Sequence, residues 1–294
     1  MVDFIGIGAQ KGGTTWLYHQ LGRHPQLAFP GGKEVHFWDR VDPSLASRWI
    51  AALEPATRAT PDGRPIRSGE ITPAYSTLAP ATIAALRQTC PDVRLFISLR
   101  NPLARAWSAA LMGLTRCQME EHEASDQWFI DHFRSQASRQ RGAYAAALTR
   151  WWDAFPREQL LVTLFDDIVA APRPLLDALA NHLRVDASDF TALPAEDLAT
   201  VVVPKLGSHV PAGQPKPRLR PSLLPVLGEL YRPEIDRLSS LLGRDLTGWL
   251  TGCDGDSGPA APAPAGRLAV SCRGSGVELS DSLAVAHPAP PSPF

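Results

Sequence analysis

The chain has 294 residues, 44% hydrophobic and 20% charged, which suits a soluble globular protein with a sizeable core, built as one large domain or two small ones. Its 29 Lys and Arg against 30 Asp and Glu leave a net charge of −1, so a broad positive field is excluded, and with it bulk nucleic-acid binding. Cys90, Cys117, Cys253 and Cys272 form no CxxC pair and read as reduced thiols. The histidines join neither cysteines nor carboxylates at metal-ligand spacing, so no metal site is expected.

In chain order, residues 2–7 are apolar and β-branched, a buried parallel strand by composition. A glycine-dense loop around Lys11 follows, and then a helix over 14–22 with Trp16, Leu17 and Leu21 at helical spacing. Residues 28–39 read as loop plus a short strand, 54–65 as a polar connection and 66–71 as a second strand. The stretch PATIAALRQ at 80–88 is helical, with Pro80 suited to a first turn. VRLFISL at 93–99 reads as the central strand, closed by Arg100-Asn101-Pro102, and a helix restarts over 103–114. Helices are expected over 126–138, 142–155, 173–183 and 221–242, with a further strand over 159–165.

This alternation predicts a P-loop-like, doubly wound α/β domain over residues 1–250, with a mainly parallel sheet flanked by helices. Residues 251–294 are rich in Pro, Ala, Gly and Ser and are expected to form a disordered tail. No apolar run reaches the length of a membrane span, and no basic leader precedes the first loop. The expectation is a cytoplasmic protein without stable membrane insertion.

The chemistry concentrates in FIGIGAQKGGTTWL, residues 4–17. A parallel strand that feeds a glycine-rich turn into a helix N-terminus offers backbone N–H groups and a positive dipole to an anion. Lys11 adds a full charge, and Thr14 and Thr15 add hydroxyls. A Walker A loop would place Gly-Lys-Ser/Thr after four intervening residues, whereas this chain has Lys-Gly-Gly-Thr-Thr. The dinucleotide pattern fails as well, because Lys11 takes the place of its third glycine.

Residues 4–39, FIGIGAQKGGTTWLYHQLGRHPQLAFPGGKEVHFWD, resemble the opening of the sulfotransferases that use 3′-phosphoadenosine 5′-phosphosulfate (PAPS), closest to the heparan sulfate N- and O-sulfotransferase branch. The similarity continues in family order through GEITPAYS, LFISLRNPLARAWS, RGAYAAALTRWWDAFPREQLLVTLFDDI and LGELYRPEIDRLSSLLGRDLTGWL, covering about residues 2–250. The resemblance implies that Lys11, Gly12, Gly13, Thr14 and Thr15, with Trp16 behind them, hold the 5′-phosphosulfate. Lys11 then stabilises the departing phosphate oxygen during in-line transfer. It implies no metal.

The family motif Lys-Glu-x-x-Phe-Phe places the catalytic base at Glu34. His36, two residues on, would share its face in an extended segment and is a second candidate base, also readable as a hydrogen-bonded structural histidine. Arg100 and Ser108 fall where the family holds the 3′-phosphate, and Lys216 and Arg218 fall in a basic loop that covers the nucleotide. There, Pro217 replaces a glycine of the relatives. Glycan-modifying relatives carry lysine where Ile71 stands; Glu70 before it is a possible orienter.

The near-neutral charge and the missing lysine favour a small or weakly charged acceptor: a metabolite, a lipid or glycolipid, or a neutral sugar. A hydroxyl is the first expectation for the acceptor group, with an amine as the alternative that the sequence leaves open. Trp38, Tyr75, Trp107 and Trp128 could wall it, with core packing as their other reading. Two alternatives remain at this level. A P-loop-type kinase or NTPase would use Asp166 and Asp167 as its acidic strand end, and a non-catalytic nucleotide-binding module would bind without turnover.

Overall fold

A computed structural model of the chain describes residues 2–191, 193–199 and 217–251. Strand β1 (Phe4–Gly8) is buried at every position, as an unbroken apolar run demands of a strand covered on both faces. It is the middle strand of a five-stranded sheet ordered β2-β3-β1-β4-β5. Strands β2 (Leu27–Ala28), β3 (Arg67–Ile71), β4 (Arg94–Leu99) and β5 (Leu160–Leu164) all run parallel to their neighbours. The chain leaves β1 toward one edge and later leaves β4 toward the other. The crevice beyond the C-terminal ends of β1 and β4 is therefore a topological switch point, the place where such sheets bind ligands.

Period-two alternation sorts the strand residues between two layers. Ile5, Ile7, Leu95, Ile97, Leu99, Leu160, Val162 and Leu164 belong to one apolar cluster. That layer is supplied by α2 (Ala46–Ala52), α3 (Pro80–Thr89), α4 (Pro102–Arg116), α5 (Asp126–Arg134), α7 (Tyr144–Ala154) and α12 (Leu224–Leu242), with α6 (Gln136–Gly142) between α5 and α7. Phe4, Ile71, Phe96 and Leu161 face the other cluster, with α1 (Thr14–Leu21), α8 (Phe165–Ala170), α9 (Pro172–Leu183), α10 (Ser188–Thr191) and α11 (Ala195–Ala199). No helix among the described residues is long and apolar enough to cross a membrane.

Three expectations change. The helix expected over 126–138 is two helices, because Ser135 is extended (φ −57°, ψ 145°) and its hydroxyl accepts from the Ser138 N–H at 3.2 Å, capping α6. The strand in 28–39 shrinks to Leu27–Ala28, and loop follows it. Strand β5 stops at Leu164 because Asp167 accepts from the Leu164 N–H at 3.2 Å and opens α8, while Asp166 accepts from the Trp249 indole at 2.9 Å. Both aspartates are thus engaged in holding α8 and the turn at Trp249, which weakens the kinase reading that rested on them. Of the expected tail, everything beyond Thr251 lies outside the described residues.

Helix α9 docks on the sheet partly through His182, whose Nε2 lies 2.8 Å from the Leu95 carbonyl. Burial pushes this imidazole down to about 4, from an ordinary 6.5, against the pull of that carbonyl. The folded chain therefore binds the proton less readily than the unfolded chain. The stability gained is present above about pH 6.5 and is lost as pH falls toward about 4. Urea unfolding between about pH 7 and about pH 4.5 should show the parent losing about 2 kcal/mol more than His182→Gln does. Equal losses in the two proteins would remove His182 from the acid response.

Candidate active site

The loop after β1 is fixed by backbone bonds to the neighbouring strand. Ala9 N–H donates to the Ser98 carbonyl of β4 at 3.0 Å, and Gly12 N–H donates back to Ala9 at 3.0 Å. A Cβ on Gly12 would stand 2.3 Å from that same Ser98 oxygen, so only glycine allows this approach. Gly13, at φ 83°, begins α1, where a Cβ would meet Ile168 at 2.4 Å. No side chain caps α1, and its first internal bond runs from Leu17 N–H to the Gly13 carbonyl. The N–H groups of Thr14, Thr15 and Trp16 are thus left at the helix mouth, with the positive end of its dipole.

Lys11 sits in this loop with a left-handed backbone (φ 67°). Arg100, at the end of β4, reaches it from 89 residues away: its Nη1 donates to the Lys11 carbonyl at 3.3 Å. The guanidinium lies 4.5 Å above the Phe165 ring, and burial there disfavours its charged form. A buried cation at a helix N-terminus gains from an anion. Ser108 is the half-exposed residue in an otherwise buried run from Asn101 to Ala110. The Trp107 indole beside it donates to the Pro217 carbonyl at 2.9 Å, which tethers the segment bearing the exposed Arg218 to this turn of α4. Lys216 lies outside the described residues. Trp16 packs under α1 with its indole N–H on the Leu198 carbonyl at 3.1 Å. Arg105 is fully buried, donating to Ser138 and Tyr231, and is structural.

Beside this loop, at the same edge of the sheet, lies the segment of Glu34 and His36. Glu34 N–H donates to the Ile71 carbonyl at the end of β3, the strand paired with β1. Glu34 carboxylate pairs with Lys33, and its Oε2 lies 3.4 Å from His36 Nε2. His36 Nδ1 faces Asp39 Oδ2 at 2.9 Å. The two residues do meet, but not by strand alternation as expected: both have left-handed backbones, φ 65° and 57°, in a loop. Asp39 went unrecognised in the sequence, although its i+3 spacing from His36 was there to read.

Glu70 is fully buried and accepts from Trp49, Tyr75, Thr72 and the Val35 N–H; burial pushes its carboxyl up against these donors. Ile71 is buried against Gly6 and Phe96 in the layer of α1 and α9, so this side chain does not face the Glu34 loop. Of the four aromatic residues read as acceptor walls, Trp38, Tyr75 and Trp107 are core residues. Trp128 is half-buried and stacks on His132 at 5.4 Å.

The model of the sulfotransferase family matches residues 38–189, which include Arg100 and Ser108 and begin after Glu34. The chain is 28% identical over 268 residues to the human heparan sulfate glucosamine 3-O-sulfotransferase 6, covering 83% of this chain and 72% of that protein. It is 32% identical over 188 residues to the human heparan sulfate glucosamine 3-O-sulfotransferase 3B1, covering 61% of this chain and 45% of that protein. The crystal structure of a sulfotransferase from Alicyclobacillus acidocaldarius is similar with a TM-score of 0.61 and 25% identity, across 85% of this chain and 98% of that one.

Proposed function

The chain belongs to the sulfotransferase family, and on that premise we propose that it moves a sulfuryl group from PAPS to a hydroxyl of a small or weakly charged acceptor. The observation that carries this reading is the uncapped N-terminus of α1 with Lys11 and Arg100 against it, beside the Glu34–His36–Asp39 run. The glycine-only approach of Gly12 and the bare N–H groups of Thr14 to Trp16 fit a 5′-phosphosulfate. Arg100 and Ser108, with Arg218 on the segment that the Trp107 indole tethers, fit a 3′-phosphate. PAPS supplies the activated sulfuryl group. Lys11 and the helix-terminal N–H groups meet the charge left on the departing phosphate oxygen, and Glu34 takes the proton from the acceptor.

Calorimetry against adenosine 3′,5′-bisphosphate and 5′-AMP tests the donor half. The bisphosphate should bind about 100-fold tighter, as two charge-assisted contacts to one more phosphate allow. Arg100→Ala should erase most of that difference and leave 5′-AMP binding nearly unchanged. Equal affinity of the parent for the two nucleotides would overturn the assignment.

A polyanionic sugar acceptor is the second reading. It is favoured by the similarity to heparan sulfate sulfotransferases and by a groove of about 480 Å³ whose lining includes Arg134, Arg139 and Arg237. Radiolabelled PAPS with panels of neutral hydroxylated compounds and heparan-type chains separates the two. Transfer to the chains alone would refute the small acceptor.

A further inference from the structure

The segment from Val35 to Trp38 belongs to no helix or strand, yet its backbone donors are all taken by side chains of one short stretch. Val35 N–H donates to Glu70 Oε2 at 3.2 Å, and His36 N–H to Thr72 Oγ1 at 3.4 Å. Phe37 and Trp38 N–H donate to Tyr75 Oη at 3.0 and 3.3 Å. The Thr72 and Tyr75 hydroxyls pass their own hydrogens to Glu70, at 2.5 Å on Oε2 and 2.9 Å on Oε1, and the Trp49 indole adds a donor to Oε1 at 2.5 Å. Four consecutive amides thus converge, directly or through one hydroxyl, on a single carboxylate.

Each Glu70 oxygen receives two donors, and none of the four partners is a cation. Only an acceptor at both oxygens satisfies the set, which a carboxylate provides and an amide does not. A fully buried carboxylate without a cation is costly, and its surroundings give it a use. Glu34 and His36 both hold left-handed backbones, which disfavour side chains with a Cβ and persist only where the surroundings over-determine them. From this geometry we infer that Glu70 is the positioning residue of the reaction: through Thr72, Tyr75 and the Val35 amide it holds the loop that presents Glu34 and His36. The inference rests on the reading of Glu34 as the base.

Glu70→Gln keeps the size of the side chain while turning an NH2 toward two donors. Hydrogen exchange should then quicken by about 100-fold at the amides of Val35, His36, Phe37 and Trp38, while β1 and β4 keep their protection. Turnover of PAPS with the acceptor found by screening should fall about 100-fold, with affinity for adenosine 3′,5′-bisphosphate within about 2-fold of the parent. Tyr75→Phe keeps the ring and should quicken only Phe37 and Trp38, which covers the case in which Glu70→Gln does not fold. Unchanged exchange at these amides in either variant would overturn the inference. So would a loss of nucleotide affinity in step with turnover, which would mark Glu70 as support for the molecule at large. If the parent fails to bind the bisphosphate, the donor assignment falls, and the exchange measurement still decides whether Glu70 holds the loop.

Discussion

Lys11→Ala should lower kcat by about 10²–10³-fold, the cost of losing one donor aimed at charge that develops in a transition state. The melting temperature should move by no more than about 2 °C, since the loop's path is set by its glycine contacts and backbone bonds. The reasoning runs through the loop. Gly12 and Gly13 are fixed by their neighbours, at 2.3 Å from the Ser98 oxygen and 2.4 Å from Ile168 for an added Cβ, so the backbone path does not depend on the lysine side chain. The Arg100 contact is to the carbonyl of Lys11, which alanine retains. Steady-state kinetics with PAPS, alongside calorimetric unfolding, separate chemistry from fold. A fully active Lys11→Ala would remove the lysine from the reaction. A variant that melts far below the parent would show that the side chain holds the loop.

The strands that carry this site were readable because strands buried on both faces keep continuous apolar runs, as FIGIG and RLFISL do. The helices α2 and α8 were not, since seven and six residues are too few to display a helical period. Lys11 could be named from residue type and order, and Glu34, Arg100 and Ser108 from the resemblance to the PAPS sulfotransferases. What joins them could not: Arg100 reaches the Lys11 carbonyl only because β4 lies beside β1. Likewise, Glu70, Thr72 and Tyr75 collect the amides of Val35 to Trp38 only because β3 lies on the other side of β1. Such contacts are set by strand order, which local sequence does not encode. The aromatic residues Trp38, Tyr75 and Trp107 show the same limit, for their sequence reading as acceptor walls was open until burial placed them in the core.

Glu34→Gln should cost about 10²–10⁴ in kcat with little change in KM for PAPS, the range expected when a general base is lost. The choice of Glu34 over His36 follows from placement: the Glu34 side chain is the more exposed of the two, and Asp39 holds the His36 ring. His36 faces carboxylates from both ring nitrogens, Asp39 at 2.9 Å and Glu34 at 3.4 Å. A carboxylate oxygen only accepts, so Asp39 takes the Nδ1–H of the ring and fixes its orientation, with Nε2 turned toward Glu34. On this reading the ring's work is to orient Glu34 while Asp39 orients the ring. Glu34, about two-fifths exposed, has Oε1 on Lys33 and Oε2 facing His36, and each carboxylate oxygen keeps a second lone pair for the acceptor's proton. His36→Asn should therefore cost less than Glu34→Gln, about 10-fold, and Asp39→Asn less again. The decisive comparison is single-turnover sulfuryl transfer in the three variants at saturating PAPS. A His36→Asn defect as deep as that of Glu34→Gln would leave the two residues acting as one unit. A nearly active Glu34→Gln beside an inactive His36→Asn would reverse the assignment and make the histidine the base.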